Sequence, residues 1–406
     1  MKFSLDPRTT ACTALLGTLS ALSALSLDPF LPALPSLVTE LDAPVTVVQL
    51  TISAFFVGLA CGQALYGPFS DHYGRRPPLI FGVTLFLAAT LYCANAGSIE
   101  GLITGRFFQA LGAASGMVLV RSIVRDLYAG DEAAHKMAAI WLVFGLMPMF
   151  GPLVGSGLLA LWGWQSIFWF MAAFIAPVFA VMLVALPETA SLQPRQATTP
   201  SALAREYTHL LRQRHFMVYV TLIFFSQVGV FAFVTHSSFV LVTALGFTVG
   251  EFGLVYALIM TGHLAGAALG ARLARTIGTD ATIRRGVLLS FASGLVLMGL
   301  AWSGIDVAPA IVLPMLFLMF GFSLIVPHAM AAAMTPFPEL AGTASSLIGL
   351  AQLSAGAAIS YLLGVLFDGT ARPMTGAIAL SSLAAVVFYE GFIGRSQPHP
   401  ARTPPS

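Results

Sequence analysis

Gly67-Pro-Phe-Ser-Asp71-His-Tyr-Gly74-Arg75-Arg76 places two glycines, an acid and two arginines between apolar runs at 46–69 and 78–97. Each flanking run is long enough to cross a bilayer as a helix, which takes about 20 residues. Glycine permits a tight reversal, so the stretch reads as the short polar turn of a membrane-spanning hairpin. The whole chain agrees with that reading. Of 406 residues 57% are hydrophobic and only 9% charged, with a mean hydropathy of +0.87. Soluble domains carry about 25% charge, so an ordinary soluble enzyme is excluded. A formal net charge of +2 leaves no basic field for a nucleic-acid partner.

Working outward, further apolar runs fall at 11–35, 101–124, 135–160, 165–187, 215–238, 251–272, 285–303, 309–333, 342–366 and 374–394, making twelve with the first two. The first run is too long for a cleaved signal peptide and is read as a retained span. An even number puts both termini on one side. Lys and Arg collect in cytoplasmic loops, and with both termini inside, every one of the 19 Lys and Arg except Arg106 and Arg372 falls in a cytoplasmic segment. Lys2, Arg8, Arg195, Arg395 and Arg402 are among them. The expectation is an all-α membrane protein of twelve transmembrane helices in two six-helix halves, both termini cytoplasmic.

The longest polar stretch, with Pro194 and Pro200, separates six spans from six. It divides the chain into an N-terminal half (1–187), a cytoplasmic linker (188–214), a C-terminal half (215–394) and a cytoplasmic tail (395–406). Within the linker, Leu203, Tyr207, Leu210 and Leu211 alternate with charges at helical spacing from Ser201 to Arg214, as in an amphipathic helix on the inner membrane surface. Ala271-Arg-Leu-Ala-Arg275-Thr-Ile-Gly278 faintly repeats the loop after span 2, keeping its glycine and lacking its acid. Parallel six-helix halves with a ligand site between them are a transporter architecture.

Two motifs carry further information. Asp126, beside Arg125 at the inner end of span 4, is an opposite charge for Arg75 or Arg76. With Gly67, Asp71 and Gly74 these residues form a candidate cytoplasmic gate that latches the inner face. Span 5 reads Gly145-Leu-Met-Pro148-Met-Phe-Gly151-Pro152-Leu-Val-Gly155-Ser-Gly157. Small residues permit close helix approach and proline loosens the backbone ladder, so this span is expected to kink and pack tightly on a neighbour.

The loop 67–76, the run Arg106-Phe-Phe-Gln109-Ala-Leu-Gly112 and the span-5 glycines resemble the signature motifs of drug:proton antiporters of the major facilitator superfamily. Leu27-Asp28-Pro-Phe-Leu-Pro-Ala-Leu-Pro35, Arg125-Asp126-Leu-Tyr128 and Ala341-Gly-Thr-Ala-Ser-Ser346 are similar to the bicyclomycin and chloramphenicol resistance branch. The resemblance covers essentially the whole chain. It implies the major facilitator fold, Gly145, Gly151, Pro152, Gly155 and Gly157 as the antiporter helix motif, and a proton-relay role for Arg106. His72 departs from the pattern, standing where the loop motif has Arg or Lys. Span 1 also lacks the second acid that related multidrug antiporters carry one to two turns earlier, where Ser20 stands here.

Ionisable groups inside spans are costly and functional by default. Asp28, about 17 residues or roughly 26 Å into span 1, and Arg106 are the outstanding pair. Burial and a nearby guanidinium act on a carboxyl in opposite directions, so a group under both influences can exchange its proton as substrate comes and goes. Phe55, Phe56, Gln109, Phe144, Gln227, Phe231, Tyr256 and Gln352 are candidates for the substrate cavity. Gln49, Gln63 and Asn95 are weaker candidates; His236, His263 and His328 read as buried neutral histidines, and Glu390 as an acid reaching the inner surface.

The expected function is proton-coupled efflux of small amphipathic drugs of the bicyclomycin or chloramphenicol type across a bacterial inner membrane, by a monomer working through alternating access. Export of a native metabolite or siderophore, and import by proton symport, are the alternatives. Its partners are a small-molecule substrate, protons and lipid. No cofactor or metal is expected: Cys12, Cys61 and Cys93 form no ligand spacing, and neither a catalytic constellation nor a nucleotide loop is present.

Overall fold

The computed structural model describes residues 9–190, 200–305 and 307–393, nearly all of them helical. Among the described residues twelve helical segments are long and apolar enough to cross a bilayer. They are span 1 (Leu22–Glu40, preceded by the apolar helix Thr10–Ser20), span 2 (Val45–Tyr73), span 3 (Arg76–Ala94), span 4 (Ile99–Leu127), span 5 (Gly130–Trp162), span 6 (Gln165–Ala185), span 7 (Arg214–Ala244), span 8 (Val249–Ile277), span 9 (Thr279–Trp302), span 10 (Ala308–Met334), span 11 (Pro338–Leu366) and span 12 (Arg372–Ile393). A separate helix, Pro200–Arg212, lies between spans 6 and 7. The expectations placed on Lys2, Arg8, Pro194, Arg195, Arg395, Arg402 and the tail 395–406 lie outside the described residues.

Helices suit hydrocarbon because each satisfies its own backbone polar groups. Their ends follow local chemistry. Thr248 and Glu251 form a capping box at the start of span 8, the Gly101 N–H donates to Ser98 Oγ at the start of span 4, and a proline sits in the first turn of spans 3, 10 and 12.

Span 1 departs from the single run expected at 11–35. It breaks at Ala21, resumes as Leu22–Leu27, tightens into a 3-10 turn over Asp28–Ala33, and continues as Leu34–Glu40. Pro29 and Pro32 cause the turn, since neither offers an N–H to the helical ladder. Pro35 does not stop the chain, because it falls in the first turn of the last piece, where an N–H has no helical partner. Span 5, by contrast, is one continuous helix through Pro148 and Pro152.

Close approaches rest on small residues. A Cβ at Gly58 or Gly62 of span 2 would meet the Phe107 carbonyl or Ala114 of span 4. In spans 8 and 10 the same relation recurs, with Gly262 and Gly266 against the carbonyls of Leu316 and Phe320. Such faces permit the close backbone contact that drives helix association in lipid. Spans 1–6 meet spans 7–12 mainly along two seams, span 2 against span 11 and span 5 against span 8.

The two ends of the bundle differ. Towards Asp28, Thr46 Oγ1 donates to the Gly364 carbonyl and Ser53 Oγ to the Ala357 carbonyl, each at 3.0 Å. Gly151, Pro152, Gly155 and Ser156 of span 5 are buried there, whereas in 135–149 of the same helix only Ile140 is. The bundle is packed shut at the Asp28 end and parted at the opposite, arginine-rich end.

Candidate functional site

Asp28 opens the 3-10 turn of span 1 and is 5% exposed. Its Oδ2 is buried and has no hydrogen-bond partner among the described residues. The turn lies on span 5: a Cβ at Gly151 would stand 2.6 Å from Asp28 Cβ, and one at Gly155 would overlap the Pro29 carbonyl. Two of the span-5 glycines therefore have a definite task, to admit the Asp28-Pro29 backbone. Pro152 is buried between them, whereas Gly145 and Gly157 face open space and support no close approach.

Arg106 is fully buried, yet among the described residues it makes no ion pair with Asp28. Its Nη1 donates to the Ser26 carbonyl (3.0 Å), just ahead of the prolines, and to Gln109 Oε1. Gln109 in turn donates to Thr90 Oγ1 (2.8 Å). The guanidinium carbon lies 4.5 Å from the Phe30 ring centre, 4.3 Å from Phe55 and 5.9 Å from Phe168. Desolvated cation–π contacts contribute about 2 kcal/mol each, so aromatic faces, one carbonyl and one amide oxygen surround the guanidinium. Phe30, Phe168 and Thr90 complete this enclosure, and only the adjacency of Phe30 to Asp28 signalled one of them.

Phe55 and Gln109, expected on a cavity wall, instead enclose Arg106. Tyr256 is buried between Phe233 and Phe252, within electrostatic reach of Asp28. Phe56 of span 2 and Phe231 of span 7 do meet, rings 4.6 Å apart, where Gly356 of span 11 leaves them room. Gln352 donates to Gln227 at 3.2 Å, and Phe144 lies edge-on to Trp141 in the parted end. The eight residues thus fall into separate groups.

A clasp joins the two sets of spans at the closed end. Gln49 Nε2 of span 2 donates to the Thr235 carbonyl (2.8 Å) and to His236 Nδ1 (3.0 Å), while Ser360 Oγ donates to Gln49 Oε1 (2.8 Å). His236 Nδ1 is an acceptor in this orientation, which fits the expected neutral ring. Glu390, expected to reach the inner surface, pairs with Arg284 at 2.8 Å.

At the arginine-rich end the loop after span 2 folds around Arg75, only 4% exposed. Its Nε donates to Asp126 Oδ2 (2.8 Å) and its Nη1 to Asp71 Oδ1 (2.9 Å) and Ser70 Oγ (3.0 Å). Burial works against the Arg75 charge, but the hydrogen bonds to Asp126 and Asp71 outweigh it and move the group above its ordinary range. Arg76 instead donates to the Leu183 carbonyl. Glu188, which the sequence reading left in the linker, accepts from the backbone N–H groups of Arg75, Arg76, Thr189 and Ala190. Burial raises its pKa, yet those amides prevail and hold it below the ordinary carboxylate range. Gly74 has φ of +86°, which favours glycine, and a Cβ there would stand 2.7 Å from Glu188 Oε2 and displace that carboxylate. Gly67 meets nothing, and His72 is exposed against Tyr73. All these partners lie between Ser70 and Ala190, so the cluster ties spans 2, 3, 4 and 6 together and, among the described residues, does not bridge to spans 7–12 in this conformation.

The Major Facilitator Superfamily model matches residues 15–361. The "Bicyclomycin resistance protein homolog" of Haemophilus influenzae is 30% identical over 355 residues, covering 87% of this chain and 89% of that protein. "Multidrug resistance protein D" of Escherichia coli is 27% identical over 352 residues, covering 86% of each. Among solved structures, a D-xylose-proton symporter superposes with a TM-score of 0.77 at 17% identity, covering 94% of this chain and 97% of that one. An inward-facing bacterial homolog of the human lysosomal transporter Spinster gives 0.74 at 14% identity, covering 98% and 100%. At such identities these structures speak for the fold alone.

Proposed function

The chain belongs to the Major Facilitator Superfamily, whose members are transporters and not enzymes, and from that premise we propose that this multi-pass membrane protein exports small amphipathic drugs in exchange for protons. The relatives named for bicyclomycin and multidrug resistance support bicyclomycin- or chloramphenicol-type compounds as substrates and a bacterial inner membrane as the site. The distribution of Lys and Arg supports cytoplasmic termini, which makes the parted, arginine-rich end the cytoplasmic one.

One observation carries the proton-coupling part: Asp28 Oδ2 is buried against span 5 without a partner. An ionised carboxylate left so would lack compensation in a medium where unpaired charge costs several kcal/mol, so the closed outer end suits the protonated acid. The halves 1–187 and 215–394 rock about the two seams. Asp28 takes a proton when the cleft faces outward, carries it through the closed arrangement, and releases it inward as drug binds. Arg106 is a positioning residue that fixes the broken end of span 1 through the Ser26 carbonyl. The Arg75 cluster, as the cytoplasmic gate, holds the inner ends of spans 2, 3, 4 and 6 as one body.

Everted membrane vesicles test this reading with chloramphenicol as the probe. Export corresponds to uptake only when the vesicle interior is acid, and Asp28→Asn abolishes it. Uptake driven by an acid exterior, or undiminished uptake by Asp28→Asn, would overturn it.

A further inference from the structure

The clasp at the closed end fixes the protonation of a buried histidine. Gln49 Nε2 lies 2.8 Å from the Thr235 carbonyl, which can only accept, so this atom is the amide nitrogen and not its oxygen. That leaves its second N–H for His236 Nδ1, 3.0 Å away. Ser360 of span 11 holds the other side of the amide by donating to Gln49 Oε1. His236 Nδ1 therefore has to accept, and the one proton of the ring sits on Nε2, which is buried with no partner among the described residues.

A second proton on this ring does not fit the clasp. It would set an imidazolium N–H against the Gln49 amide N–H, donor against donor, and leave a buried cation. The Phe239 and Phe367 ring centres stand 5.5 and 5.3 Å from the imidazole, and among the described residues His236 makes no ion pair. The ionisable groups on the elements packed around it supply none. Glu40 and Asp42 after span 1, Glu251 at the start of span 8, Asp368 and Arg372 are exposed. Asp28 and Tyr256 are buried on the span 1 turn and on span 8, which also pack on span 7, and neither is hydrogen-bonded to the ring. Gln49 belongs to spans 1–6, His236 and Ser360 to spans 7–12, so parting the two sets of spans at this end frees Nδ1.

We propose that His236 is a second proton-binding site of the transport cycle, occupied only while the outer face is open. A proton from the outer medium on Nδ1 holds the face open, and its return to that medium lets the clasp close. This rests on the proton-exchange reading and acts with the opposite sign to Asp28, whose protonated form suits the closed outer end.

Spin labels at Gly97→Cys and Ser303→Cys, exposed positions after spans 3 and 9, report the outer opening as a longer label separation. The full-length chain is used in lipid nanodiscs, with Cys12, Cys61 and Cys93 replaced by alanine and with Asp28→Asn as background, which removes the opposing titration. Histidine titrates between about pH 5 and 8, so the open-to-closed ratio is expected to rise at least about tenfold from pH 8 to pH 5. His236→Asn, which keeps an acceptor near the Nδ1 position and binds no proton, abolishes the rise. Gln49→Met, which removes the donor, raises the ratio already at pH 8 and decides the matter where His236→Asn does not fold. A ratio that ignores pH, falls in acid, still rises in His236→Asn, or is unchanged at pH 8 by Gln49→Met would overturn the proposal. Uptake of chloramphenicol by everted vesicles of the wild type reports separately on the exporter reading: its persistence beside a flat ratio removes only the site at His236.

Discussion

Two arginines are almost wholly withdrawn from solvent, and the chain accommodates them in opposite ways. Arg75, at the membrane edge, sits between two carboxylates at 2.8 and 2.9 Å. Arg106, within the bundle, has one carbonyl, one amide oxygen and three aromatic faces. Where water is near, an acid is the natural partner. Deep in the bundle, a carbonyl, an amide oxygen and ring faces satisfy part of the charge, and Asp28, the one buried acid among the described residues, makes no ion pair there. A carboxyl locked onto a permanent cation could not trade its proton freely, so the aromatic enclosure of Arg106 supports the role proposed for Asp28.

Between these two arginines the larger expected effect lies at Arg106. Arg106→Lys keeps the charge but loses the planar guanidinium that lies against the Phe30 and Phe55 rings while its Nη1 donates to the Ser26 carbonyl and Gln109. Transport is expected to fall about tenfold to a hundredfold, equivalent to 1.4 to 2.8 kcal/mol, as read from initial rates in everted vesicles. Unimpaired rates would mean that the geometry of the broken span is not essential.

The Arg75 cluster ranks next, with effects on stability rather than rate. Arg75→Ala strands two acids and should cost about 1–3 kcal/mol, visible as a lower thermal midpoint in detergent. Within the pair, Asp126→Asn should cost more than Asp71→Asn, because the Asp126 side chain is 13% exposed and that of Asp71 50% and solvent weakens exposed pairs. The reverse order would contradict the geometry.

Glu188 gives the smallest effect and the clearest sign. Its native pKa is depressed below the ordinary 4.5, so its contribution is fully present above that value and is lost as pH falls through the native one. Glu188→Gln should therefore flatten the thermal midpoint of the protein between pH 5 and pH 3 relative to wild type. An unchanged slope would show that the amide cradle contributes nothing.

Much of this was legible in the sequence where charge or hydrophobic run length decided the outcome. The spans, an opposite charge in Asp126 for Arg75 or Arg76, and a small-residue face on span 5 follow from local pattern; that the partner is Arg75 and that Gly151 and Gly155 make the close approach came from the structure. What escaped depended on helix rotation and on contacts between distant segments. No periodicity places Phe55 and Phe168 on the faces of Arg106, or Gln49 beside His236 across the seam. Glu188 was overlooked because its role is to bind backbone amides, which leave no mark in composition. His72 drew notice as a departure from a motif, yet it lies exposed while Arg75 holds the loop together.

The central claim is that Asp28 carries the exchanged proton, and the most direct measurement is proton release by purified protein in weakly buffered solution when chloramphenicol is added. The account predicts release by the wild type and none by Asp28→Asn with binding retained. Equal release by the two proteins would contradict it.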